Sequence, residues 1–225
     1  MSYEKFFIVL LILTSLTGCT QEHDQKETSD QKQSANPLTN QSEEKSPPSR
    51  KEASEYVPNP QVTDDRQLVV MGNTVSDEKG EAELIAYKNL GDKVKVGPME
   101  LTIKEAKVIH YRPSYSMVDF FHSYTHEEKF DFVKVFVEVE NTSEQSLNFA
   151  PIAQIDTDLG EQKTWEEEIY LEELNGPFKP GEKKAGNLGF IIEKSDIKTF
   201  SITTSKVFDN NKKELNKEKV ITVEF

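Results

Sequence analysis

Three of the four histidines, His110, His122 and His126, fall within residues 110–128, a segment that also holds Tyr111, Tyr115, Phe120, Phe121 and Tyr124. Neutral imidazole is a common ligand of Zn²⁺ and Cu²⁺. His122 and His126 stand four residues apart, a spacing that on a helix places both rings on one face, and Asp119 or Glu127 could add a carboxylate. The pattern departs from a zinc-protease helix because Ser123 occupies the position where that motif carries Glu. No distant third ligand is evident in the sequence.

The same segment supports a different chemistry. Aromatics, Met and Arg are enriched in binding interfaces, and loops carried on a rigid scaffold are common binding sites. Tyr111, Arg112, Tyr115, Phe120, Phe121 and Tyr124 therefore form the leading candidate, a binding loop, with Met117 among them. The subordinate reading is a metal- or small-solute-binding envelope lipoprotein that uses the histidine- and aromatic-rich loop 110–128, with His110, His122 and His126 as the candidate metal ligands. A third reading stays open, in which the phenylalanines are core and the tyrosines ordinary surface.

The rest of the chain offers little chemistry. Asp156, Asp158, Gly160 and Glu161 have the composition of a calcium loop but lack its spaced ligands and terminal Glu, so a hairpin turn is expected. Asn141-Thr142-Ser143 reads as a turn. There is no recognisable Ser/His/Asp arrangement, phosphate-binding glycine loop or redox cysteine pair. No enzyme activity and no cofactor are expected. An envelope hydrolase using dispersed carboxylates is the remaining class, since such pairs leave little local trace.

The elements that must hold this loop read as strands. Val133, Val135, Val137 and Val139 alternate with Phe132, Lys134, Phe136 and Glu138, a period of two in β-branched residues that closes at Asn141-Thr142-Ser143. With apolar residues on both faces, this strand is expected to be central and largely buried. Leu101, Ile103, Ala106, Val108 and His110 give a second strand, whose phase shift between Ile103 and Ala106 predicts a bulge. Further strands are expected over 68–71, 84–88, 93–96, 146–157, 185–192, 199–204 and 220–225, separated by turn residues such as Pro180-Gly181 and Asp209-Asn210-Asn211. Residues 163–174, with Glu166-Glu167-Glu168, could carry a turn or two of helix or a charged edge strand. The spacing predicts an all-β sandwich of about 7–9 strands over residues 66–225.

Within that domain, Leu90-Gly91-Asp92-Lys93-Val94-Lys95-Val96-Gly97 is followed by a strand with Leu101-Thr102-Ile103 and a valine-rich strand ending at Asn141-Thr142-Ser143. Asp156-Thr157-Asp158-Leu159-Gly160 and Pro180-Gly181-Glu182-Lys183 then precede Gly189-Phe190-Ile191-Ile192. This order resembles the telokin-like, immunoglobulin-like domain of unknown function found in Gram-positive lipoproteins and secreted mycobacterial antigens. The resemblance covers about residues 84–204 and implies an extracytoplasmic immunoglobulin-like sandwich, with no catalytic residues to transfer. The chain departs from it by the long insertion 112–129 and by having no cysteine for the disulfide of some such domains.

The N-terminal part is of another kind. Lys5 precedes an apolar run over 6–13, too short to span a bilayer, which takes roughly 20 residues, and of the length of a signal-peptide core. It ends in Leu16-Thr17-Gly18-Cys19, which resembles the lipobox of bacterial lipoproteins. That resemblance implies cleavage after Gly18, a diacylglycerol on Cys19, and residence on the outer face of the cell membrane of a Gram-positive bacterium. Cys19 is the only cysteine in the chain, so an internal disulfide is excluded. Residues 19–65 then form a polar stretch that buries too little apolar surface to offset the cost of ordering, and they are expected to act as a disordered linker. The net charge of −13 argues against nucleic acid and anionic lipid surfaces as ligands. The expected partners are the membrane, through the lipid, and a protein or other component of the envelope.

Overall fold

The computed structural model describes residues 57–225. Cys19, the signal segment and the linker up to residue 56 lie outside the described residues. The described chain is all-β, with fourteen strands in three antiparallel sheets, one four-residue α-helix and two 3₁₀ turns. The strands are more numerous than expected because several are only three or four residues long.

The valine alternation makes the central strand. β5 (Phe130–Asn141) lies between β4 (Met99–Pro113) and β10 (Lys183–Ile192) in the largest sheet. β2 (Gly80–Asn89) and β1 (Thr74–Asp77) extend it beyond β4, and β3 (Lys93–Val96) pairs with the other end of β4. The register of β4 on β5 shifts between Ile103 and Glu105, the bulge that the phase change predicts.

Two smaller sheets pack against one face of the large one. The first has the order β14 (Val220–Glu224), β11 (Thr199–Thr203), β7 (Gln154–Thr157) and β8 (Gln162–Thr164). The second has the order β13 (Glu214–Asn216), β12 (Val207–Asp209), β6 (Leu147–Phe149) and β9 (Gly176–Phe178). Val133, Val135, Val137 and Val139 are all buried in this main core, with Phe178, Phe200 and Ile202 from the smaller sheets. The segment expected as one strand over 146–157 is divided between β6 and β7, one in each small sheet.

The other face of the large sheet is also covered, which explains the apolar residues on both sides of β5. Phe132 of β5 and Ile109 and Tyr111 of β4 join a second core with Leu84, Phe121 and Ile169. Its roof has three parts: residues 57–72, the loop after β4, and the segment 168–174. Glu168 holds that last segment down, its carboxylate accepting from the N–H of Tyr170, Leu171 and Gly189 at 2.7, 2.9 and 2.9 Å. Burial pushes this carboxyl up, against the three N–H donors. Residues 163–174 combine the two expectations, an edge strand in β8 and a 3₁₀ turn at Trp165–Glu167.

Two expectations are corrected. Residues 68–71 form no strand; Leu68 is buried, but its N–H closes a turn on the Asp65 carbonyl at 2.9 Å, and Gly72 then takes φ +81°. The packed region begins before residue 66, because Asn59, Val62, Thr63 and Asp65 are all buried. Composition marked this segment as linker, yet it is pinned to the sheet by its polar side chains.

Candidate functional site

The end of β4 alternates as a strand must. Tyr111 points into the second core and is fully buried, while His110 and Arg112 point outward. The chain then makes a 3₁₀ turn (Tyr115–Met117) and α1 (Val118–Phe121), and returns into β5.

The aromatic side chains of this loop do two different jobs. Phe121 packs edge-on to Tyr111 at 5.5 Å between ring centres and on Phe130 at 5.0 Å, and Phe120 stacks edge-on to Phe121 at 4.9 Å. Tyr124 closes on Phe120 at 5.6 Å. Such pairs contribute about 0.5–1.5 kcal/mol each beyond the area they bury. Tyr111 and Phe121 are therefore core residues and unavailable for contact with a partner, and Phe120 and Tyr124 are half-buried. Tyr115 is the exception, with 96% of its surface exposed. Burial raises the phenols of both Tyr111 and Tyr124 above the usual range.

Beneath Tyr115 runs a groove of about 520 Å³ with Phe121 and Val118 in its wall and Arg112, His122 and His126 among its polar residues. A second groove of about 500 Å³ is lined by His110, Tyr124, Asp131 and Lys163, and Glu127 contributes to both. The three candidate histidines are thus divided. His122 and His126 lie with ring centres 5.9 Å apart. His110 instead bonds through Nδ1 to Oδ1 of Asp131, its cross-strand partner, at 2.6 Å. Among the described residues, no three His, Cys, Asp or Glu side chains are gathered so as to hold a metal ion. What the geometry offers is an aromatic side chain and a guanidinium over a partly apolar floor.

A cluster that sequence reasoning missed lies on the same face of the large sheet. Lys107 of β4 and Lys134 of β5 are buried and directly opposite each other in the ladder. Asp65, 2% exposed, accepts from Lys107 Nζ at 2.8 Å and from Lys134 Nζ at 2.6 and 2.7 Å. Glu105 Oε1 lies 3.1 Å from Lys107 Nζ and 3.3 Å from Lys134 Nζ, so two cations meet two carboxylates. Burial pushes the Asp65 carboxyl up, but the Lys134 and Lys107 ammonium groups outweigh it and hold the group below the usual carboxylate range. The one signal in the sequence is Lys134 itself, set between Phe132 and Phe136 on one face of an otherwise apolar strand.

Residues 88–213, more than half of the chain, match a domain of unknown function, DUF4352. The chain belongs to the DUF4352 family. It is 44% identical over 235 residues to the uncharacterized protein YdhF of Bacillus subtilis (strain 168), with 96% of this chain and 98% of that protein covered. Its backbone is similar to the crystal structure of a functionally unknown protein from Listeria monocytogenes EGD-e, with a TM-score of 0.47 and 12% identity over 65% of this chain and 87% of that one. It is also similar to the yjhA protein from Bacillus subtilis, with a TM-score of 0.38 and 17% identity over 59% and 96% of the two chains. The DUF4352 span contains the loop after β4, Lys107 and Lys134, whereas Asp65 lies outside it.

Proposed function

We propose that this DUF4352 protein is a lipid-anchored extracytoplasmic binding module, without catalytic activity, that meets a protein of the cell envelope through the loop after β4. The observation that carries the binding reading is the contrast within that loop. Three of its aromatics, Phe120, Phe121 and Tyr124, are packed or half-packed against one another, and Tyr115 alone stands 96% exposed beside a groove with an apolar wall. A large exposed aromatic on a locked base gives contact area at little entropic cost, a usual property of binding anchors. Arg112, exposed beside it, bonds Glu81 Oε1 through Nη2 at 3.2 Å and keeps further guanidinium donors for a carboxylate on the partner.

Anchorage is supported by Leu16-Thr17-Gly18-Cys19 behind the apolar run, and by the lack of any second cysteine that would give this thiol a structural role. A tethered module of this kind works close to the membrane, and the lipid supplies attachment while the loop supplies selectivity. Replacing Cys19 with Ala should release the protein into the medium. A photo-crosslinking residue at position 115 on intact cells should give a discrete adduct that disappears with Arg112→Ala and is absent when the probe sits at exposed Leu171. Identical adducts from both positions would defeat the loop assignment.

A further inference from the structure

The lysine pair belongs to the large sheet, but the carboxylate between the lysines arrives on a separate piece of chain. Residues 57–71 form no strand, and the backbone joins the sheet at Gly72, whose N–H donates to the Leu84 carbonyl of β2 at 2.8 Å. They are held by side chains: Asn59 Nδ2 donates to the Tyr170 carbonyl at 2.8 Å, Thr63 Oγ1 donates to Asp77 Oδ1 at 2.9 Å, and Asp65 sits between the lysines. Val62 and Leu68 add apolar packing to the second core, and neither reaches the main one. A segment fixed in this way can open as a unit while the sheets stay folded. Opening would leave Lys107 and Lys134 opposed with Glu105 alone beside them, a site that demands a carboxylate.

Residues 69–72 connect this strap to β1, and they are unusual. Val69, Val70 and Met71 are exposed by 50, 57 and 68%, three consecutive large apolar residues facing solvent, followed by Gly72 at φ +81°. We propose that the strap is exchangeable: in a pair of copies, the strap of each seats Asp65 between Lys107 and Lys134 of the other. A second copy is the one partner that brings Asn59, Thr63, Asp65 and Leu68 at the spacing the site already fits. The hydrogen bonds and ion pairs that a strap makes within its own chain re-form between chains, so exchange costs little apart from association itself. In the exchanged pair the two 69–71 segments cross side by side and cover each other, which gives the exposed apolar triplet a role. This inference is independent of the lipid anchor and of the loop at Tyr115.

The test uses the full chain with Cys19→Ser, so that introduced thiols are the only ones. Thr63→Cys and Asp77→Cys are made in separate batches, mixed, incubated and treated with a short bis-maleimide. The expected product is a covalent dimer of the two different chains, growing with protein concentration and about tenfold scarcer when both chains also carry Asp65→Asn. The Thr63→Cys/Asp77→Cys double variant, dilute, should crosslink within one chain and so verify the geometry. Light scattering on the chain with Cys19→Ser alone provides a second reading, expected to rise toward twice the monomer mass with concentration. Crosslinking within the double variant but never between mixed chains, with monomer mass up to millimolar protein, overturns the proposal.

Discussion

Lys107 and Lys134 face each other across the β4–β5 ladder, and both ammonium groups close on the single carboxylate of Asp65. Like charges directly opposite in a sheet repel, and buried charges without partners are costly, so the pair is tolerable only while Asp65 is seated. Asp65→Ala should therefore destabilise the domain by about 3–5 kcal/mol, since it leaves two buried cations undercompensated. Urea unfolding of parent and variant measures this, and a change within about 0.5 kcal/mol would contradict the role given to Asp65.

The cluster is expected to confer specificity of docking more than net stability. Removing one partner is costly, but replacing a whole buried ion group by apolar residues of similar volume is often neutral or favourable. The triple variant Asp65→Leu/Lys107→Met/Lys134→Met should recover to within about 1 kcal/mol of the parent, although Asp65→Leu alone falls well below it. A triple variant as unstable as the summed single changes would contradict this.

The same cluster sets an acid limit. The Asp65 carboxyl is held below its ordinary value in the folded state, so its contribution is complete above the unfolded value of about 4 and is lost as pH falls through the lower folded value. The stability gap between the parent and Asp65→Asn should thus be largest near about pH 7 and shrink markedly by about pH 2.5. Urea midpoints across that range are the measurement, and a gap that widens toward acid would have the wrong sign.

Gly189 of β10 allows the 168–174 segment to lie against the sheet. A Cβ there would stand 2.7 Å from Cδ2 and Cε2 of Tyr170, and 3.1 Å from Cγ1 of Ile169. Gly189→Ala should cost about 1–3 kcal/mol by overpacking. Because the Tyr170 carbonyl receives the Asn59 amide, faster hydrogen exchange at 59–68 should accompany the loss. Stability unchanged from the parent would show that this roof gives way easily.

Much of the large sheet was legible because its signals are local. The alternation around Val133 gave β5, and the phase change between Ile103 and Ala106 gave the bulge. Residues 68–71 misled because an apolar run of four resembles a buried strand until the Asp65 turn and Gly72 are known. β1, with only Val75 among polar residues, carried no pattern to find. The aromatic loop was recognisable as a unit, but which ring points inward depends on Tyr111 and Phe130, which meet only in the folded sheet. Asp65 was invisible for a similar reason: its partners lie 42 and 69 residues away, and its neighbours have the composition of a linker.

The central claim, an extracytoplasmic module held by a lipid on Cys19, is tested most directly by intact mass spectrometry of the protein isolated from the membrane fraction of the cells that make it. The account predicts a mature chain that begins at Cys19 and carries the added mass of a diacylglycerol, with Cys19→Ala giving neither the modification nor the membrane association. A chain that still begins at Met1, or one cut near residue 19 with an unmodified thiol, would contradict it.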